Sequence, residues 1–158
     1  MKNNSLEETI LTLMVQHKAT LSVAESCSGG RLAARLTSLP GSSEYFLGGM
    51  VVYSNEMKMR WLDVPEHLLK DKGAVSSEVA EAMVKGILEK SGSDYAIAIT
   101  GIAGPAGGTP EKPVGTVWCS IGQKKGEVFS WKINVVGTRH KIMEASVEAV
   151  LVKFLMEL

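Results

Sequence analysis

Apolar residues recur along this chain in two alternating styles, one at helical spacing and one as short continuous runs, and the alternation predicts helices and strands in turn. Leu6, Ile10, Leu13 and Met14 share a helical face behind Ser5-Leu-Glu-Glu8, which has the form of a capping box. Thr20 to Val23 reads as a short strand that breaks at Ala24-Glu-Ser-Cys-Ser-Gly-Gly30, and a second helix with Leu32, Ala33 and Leu36 on one face stops at Pro40-Gly41. Tyr45 to Tyr53 carries aromatic and β-branched residues and reads as a strand; Asn55 to Leu62 follows as a short helix. Val79, Ala80, Met83, Val84, Ile87 and Leu88 mark a longer helix, opened by Ser76-Ser77 and closed near Ser91-Gly92. Tyr95 to Ile99 is a buried strand leading into a glycine-rich stretch, Thr100 to Thr116. Gly115 to Ile121 and Glu127 to Val136 form a hairpin around Gly122 to Gly126. Thr138 caps a last helix whose stripe is Met143, Val147, Val150, Leu151, Phe154, Leu155 and Leu158. Strands alternating with helices, closed by a hairpin, predict one three-layer α/β/α domain over 1–158 around a mixed β-sheet. Strand order is not legible at this level.

With 158 residues, 45% of them hydrophobic, the chain can bury a proper core. Seventeen basic residues balance seventeen acidic ones, which gives no electrostatic footprint for nucleic acid or an anionic membrane, so phosphate recognition should be local. No apolar run approaches the length of a spanning helix, and the start of the chain is acidic where a signal peptide would be apolar. Cys27 and Cys119 lie far apart without metal-ligand spacing, so the expectation is a cytoplasmic, disulfide-free protein. No metal is expected either, because acidic residues and histidines are scattered.

Three constellations carry chemistry. In the glycine-rich stretch, Gly101, Gly104, Gly107 and Gly108 let the backbone come close to a ligand, successive N–H groups there would form an anion-binding concavity, and Lys112 adds a charge. Loops at strand ends are where open α/β sheets bind ligands. In Ala24 to Gly30, a strand turns into a helix through small residues, which sets a side chain near N–H groups suited to an oxyanion. Both Ser26 and Ser28 are candidate nucleophiles there; the structural alternative makes Ser28 a helix cap and Gly29-Gly30 clearance for packing. Serine needs a base. His17, His67 and His140 lie in no catalytic motif, whereas Lys58, in Val52-Tyr53-Ser54-Asn55-Glu56-Met57-Lys58, could serve if burial lowers its pKa. Arg139, after Gly137-Thr138, offers a planar fork for phosphate or carboxylate at a helix start. Cys27 is an alternative nucleophile, though cysteines in such settings are more often small buried hydrophobes.

Taken in order, Glu25-Ser-Cys-Ser-Gly-Gly30, Val52 to Lys58, Gly73-Ala-Val-Ser76, Thr100 to Gly108 and Lys112-Pro-Val-Gly-Thr116 resemble the CinA C-terminal domain family, over nearly the whole chain. The resemblance implies a nicotinamide-nucleotide amidase that hydrolyses nicotinamide mononucleotide to nicotinate mononucleotide and ammonia, without metal or cofactor. It implies Ser26 as nucleophile, Lys58 as base and Tyr53 in support of the pair. Ser28, Gly29, Gly30, Asn55, Thr100 and the glycine loop with Lys112 would line the nucleotide site, and Arg139 would face the phosphate. It also implies a homo-oligomer. Two positions depart from the family pattern: residue 28 is serine where threonine is usual, and residue 143 is Met where many members carry a second arginine. A binding or regulatory module, and an amidase for a related substrate, stand as the alternatives.

Overall fold

The computed structural model describes residues 4–158. In chain order its elements are α1 (Leu6–Gln16), β1 (Leu21–Glu25), α2 (Arg31–Leu36), β2 (Phe46–Val51), α3 (Asn55–Leu62), α4 (Glu66–Lys72), α5 (Ser77–Ser91), β3 (Tyr95–Gly101), β4 (Thr116–Gln123), β5 (Val128–Asn134) and α6 (Arg139–Glu157), with one 3₁₀ turn at Ser42–Glu44. The capping box at α1 is present in full: the Glu8 N–H donates to Ser5 Oγ and the Ser5 N–H to Glu8 Oε2. The hydroxyls of Ser54, Ser76 and Thr138 cap α3, α5 and α6 in the same way, each accepting from a first-turn N–H.

The sheet has the order β2-β1-β3-β4-β5. The pairs β1–β2 and β1–β3 are parallel, and β3–β4 and β4–β5 antiparallel, so the sheet is mixed as expected. One face meets α1, α2 and α6 through Leu21, Val23, Ile97, Ile99, Val117 and Cys119, packed on Ile10, Leu32, Val147 and Phe154. The other face presents small side chains, Ala24, Ala96 and Ala98, to α3, α4 and α5 through Leu62, Leu69, Val79, Met83 and Ile87. These small residues let α5 lie close to the sheet. The helices themselves also meet closely: a Cβ built on Gly86 of α5 would lie 2.1 Å from the Leu62 carbonyl oxygen of α3.

Several boundaries differ from the pattern reading. β1 continues to Glu25, two residues past the expected Val23, because the backbone of Glu25 and Ser26 stays paired: the Val52 N–H donates to the Glu25 carbonyl and the Ser26 N–H to that of Ile99. β2 is shorter than Tyr45–Tyr53. Tyr45 is buried before it, and its hydroxyl donates to the Leu36 carbonyl at the end of α2. The second helix stops at Leu36, and turns carry the chain to Gly41. Helix α4 has no counterpart in that reading, because it is short and contributes only Leu69 to the core.

The parallel strands fix where chemistry can gather. The C-terminal ends of β1, β2 and β3 lie along one edge of the sheet, with the start of β4 and the end of β5 beside them. The loop 102–115 and the first turn of α6 therefore sit over the same edge.

Candidate active site

Ser26 is the first residue beyond β1; its N–H donates to the Ile99 carbonyl of β3, and the residue is buried, at 6% exposure. Lys58 lies on the first turns of α3, which starts immediately after β2. Helical side chains tilt toward the N-terminus of their helix, so its long stem reaches back to the strand ends. Lys58 is 1% exposed, and its Nζ sits 3.0 Å from Ser26 Oγ, 2.9 Å from the Val52 carbonyl oxygen and 3.4 Å from that of Tyr53. As an ammonium it donates to all three. As a neutral amine it keeps two N–H groups for the carbonyls and turns its lone pair toward the serine hydroxyl, which then donates to it. Burial makes the neutral form accessible: desolvation pulls the Lys58 pKa down from 10.5 to about 8.

Ser28 has a different occupation. It is fully buried, and its hydroxyl donates to Glu25 Oε1 at 2.7 Å. The same carboxylate accepts from the Leu32 and Ala33 N–H groups at 2.9 and 3.0 Å. The first-turn amides of α2, expected from the strand–turn–helix pattern to serve an oxyanion, are thus taken by Glu25, and Ser28 is held away from Lys58 chemistry. The Gly29 and Gly30 backbones take φ of 59° and 94°, which favours glycine at both. The Gly29 and Arg31 N–H groups close the turn on the Ser26 and Ser28 carbonyls. The Cys27 and Ser28 N–H groups have no hydrogen-bond partner among the described residues. The Cys27 thiol is buried and its pKa is pushed up to about 12 by desolvation, which makes it a core residue. Glu25 is the residue that the sequence reading missed; its signal was an acidic residue inside an apolar strand directly before a Gly-Gly turn.

The other candidates divide. Tyr53 meets Lys58 through its backbone carbonyl, while its ring is 58% exposed and its hydroxyl accepts from Arg139 Nη2 at 2.7 Å. Arg139 also donates through Nη1 to the Gly104 carbonyl at 2.8 Å, so it ties the β2–α3 junction to the glycine loop. The Thr100 hydroxyl donates to the Ala74 carbonyl and holds the Gly73–Ser76 segment against the end of β3. Gly104 and Gly108 are explained by the loop's own packing: a Cβ on either would strike Val114, at 2.4 and 2.7 Å. Gly101 lies at the end of β3, packed on Val117, and Gly107 lies within the loop. Lys112 is not brought to the dyad. Its Nζ donates to the Lys72 carbonyl at the end of α4. Asn55 is exposed on the first turn of α3, with no side-chain hydrogen bond among the described residues. Met143 is buried in the α6 face, its Cε 3.4 Å from where a Gly29 Cβ would stand. Among the described residues there is no group of three or more His, Cys, Asp or Glu able to hold a metal ion, and no helix is long and apolar enough to cross a membrane.

The CinA C-terminal domain pattern matches residues 3–158. The chain belongs to the CinA C-terminal domain family. A CinA-like protein of Desulfotalea psychrophila is 49% identical over 148 residues, which cover 92% of this chain and 35% of that protein. A CinA-like protein of Chlorobium chlorochromatii is 52% identical over 153 residues, 96% of this chain and 36% of that one. The chain thus spans about a third of the length of these curated relatives, at 35% and 36%. Among solved structures, a competence/damage-inducible protein from Agrobacterium tumefaciens matches with a TM-score of 0.93 and 36% identity, covering 99% of this chain and 97% of that one. A CinA superfamily protein from Escherichia coli matches with a TM-score of 0.91 and 30% identity, covering 100% and 95%. The fold of these two solved structures is therefore shared over nearly the whole of this chain.

Proposed function

We propose that this CinA domain is a metal-independent amidohydrolase in which Ser26 is the nucleophile and Lys58 its base, acting on the carboxamide of nicotinamide mononucleotide. The observation that carries the reading is the buried Lys58 Nζ, 3.0 Å from Ser26 Oγ, with two backbone carbonyls as its other partners. Among the described residues no carboxylate pairs with this lysine, and desolvation outweighs the opposing charge interaction with Cys27, which brings the amine toward a base near neutrality.

Lys58 takes the Ser26 proton as Oγ attacks the carboxamide carbon. The tetrahedral oxyanion would be met by the Cys27 and Ser28 N–H groups, the unpaired amides next in chain to the nucleophile. The C–N bond then breaks, and Lys58 delivers its proton to the departing ammonia. Water, activated by the same amine, hydrolyses the nicotinoyl ester and frees nicotinate mononucleotide. Arg139, with donors to spare beyond Tyr53 and Gly104, would hold the phosphate. Met143, buried, adds no charge there. That single-arginine arrangement favours a second reading, a nucleotide-binding regulatory module, which predicts binding without turnover.

Ammonia release from nicotinamide mononucleotide by the purified domain, with a chelator present, tests the reading. Ser26→Ala should lower the rate by at least about 10³-fold with the fold retained. Full activity in that variant would remove Ser26 from the mechanism, and binding without release by the unmodified protein would favour the regulatory module.

A further inference from the structure

We propose that Glu25 is a positioning residue for this site, holding the turn from Ser26 to Gly30 in the shape that leaves the Cys27 and Ser28 amides unpaired beside the nucleophile in the chain. The inference rests on the serine–lysine reading above and assigns the buried acid which that mechanism does not use.

Glu25 is 1% exposed at the last position of β1. Its carboxylate receives three donors, all from the segment that follows: Ser28 Oγ and the amides of Leu32 and Ala33, three, seven and eight residues downstream. A buried anion persists only when it is compensated in this way. Leu32 and Ala33 are the second and third residues of α2, the amides that a capping side chain normally takes. The residue in the cap position, Gly30, has no side chain to offer. Glu25 therefore caps α2 from the preceding strand. At six residues α2 is too short to hold itself together, so this cap also sets where the helix begins. The strand end is anchored on both sides, by Val52 N–H to the Glu25 carbonyl at 2.8 Å and Ser26 N–H to the Ile99 carbonyl at 3.0 Å. With the near end pinned by the sheet and the far end by the carboxylate, the five residues between have little freedom. One consequence concerns the substrate: with these first-turn amides filled by a protein carboxylate, the α2 N-terminus is closed to a substrate phosphate.

The test uses a fluorophosphonate probe, which reports Ser26 reactivity whatever the natural substrate is. Ser26 Oγ forms a bond to phosphorus, fluoride leaves, and the serine proton passes to Lys58. The phosphoryl oxygen takes up negative charge in the transition state and so needs the same amides as an acyl oxyanion. For Glu25→Gln, the maximal labelling rate per folded molecule should fall by about 10²-fold while the half-saturating probe concentration stays within about threefold. A role confined to stability would lower the melting temperature and leave the labelling rate of the folded fraction unchanged, and that result overturns the proposal. If Glu25→Gln does not fold, Ser28→Ala decides. It keeps the carboxylate and both amide contacts, and a fall of about 3- to 10-fold is expected; an unchanged rate overturns the proposal. Labelling of the unmodified protein at Ser26, with no loss in either variant, would leave the nucleophile assignment standing and remove only Glu25. Absence of labelling at Ser26 in the folded, unmodified protein would remove both.

Discussion

Lys58 shows how one residue acquires a chemical role from its surroundings. An exposed lysine near pH 7 is protonated and no base. Here burial pulls its pKa down to about 8, and the carbonyls of Val52 and Tyr53 leave its third hydrogen-bonding direction for Ser26. In the proposed mechanism the neutral amine is the active form, so kcat/KM for ammonia release should rise about tenfold per pH unit below about pH 8 and level off above it. A rate that stays flat from pH 6 to 9 would exclude Lys58 as the base. The Ser26–Lys58 pairing was expected from the motifs, and the contact is present. The contacts of Ser28, Tyr53 and Lys112 were not legible there, because each depends on a partner beyond its own motif position: Glu25, Arg139 and the Lys72 carbonyl.

At the scale of elements, α3 carries Lys58, the proposed base, and α5 holds α3 in place. The contact that sets their spacing is Gly86 against the Leu62 carbonyl, where a Cβ would come to 2.1 Å of a backbone oxygen that cannot step aside. Gly86→Ala should therefore destabilise the domain by about 1–3 kcal/mol, read from the denaturant midpoint at constant m. It should also lower activity, because the displaced helix carries Lys58. An unchanged midpoint would show that the two helices separate freely. The strongly patterned elements, α1, α5 and α6, were visible from periodicity and caps. The apolar stripe of α6 is buried as predicted at Met143, Val147, Val150, Leu151 and Phe154. Helix α4 was not visible, since seven residues with one buried position give no period to detect.

For the molecule as a whole, the site has a cost in stability that pH exposes. The folded chain releases the Lys58 proton at about pH 8, whereas an unfolded lysine keeps it to 10.5. Between those values the unfolded state binds more protons, so this contribution makes folding more favourable as pH rises, by an amount on the order of 3 kcal/mol over the full window. The buried Cys27 thiol, pushed up to about 12, acts the other way above about pH 9, as does Cys119. The Lys58 contribution is therefore read as the difference between the unmodified protein and Lys58→Met across pH 7 to 10. That difference should shift in favour of the unmodified protein as pH rises; a pH-independent difference would show that Lys58 is not held below its ordinary range.

Fold class, the covering helices apart from α4, and the strand–turn–helix around Ser26 are consequences of local periodicity, caps and glycines, interactions within a few residues that can be read along the chain. The strand order β2-β1-β3-β4-β5, the meeting of Lys58 with Ser26 and the Arg139 link from Tyr53 to Gly104 are tertiary facts. They depend on which strands pair and at what register, and side-chain alternation constrains the face a residue takes without choosing its neighbour. Glu25 stands between the two. Its three donors lie within eight residues of it, yet only the burial supplied by the assembled sheet and helices makes a carboxylate there serve as the cap of α2.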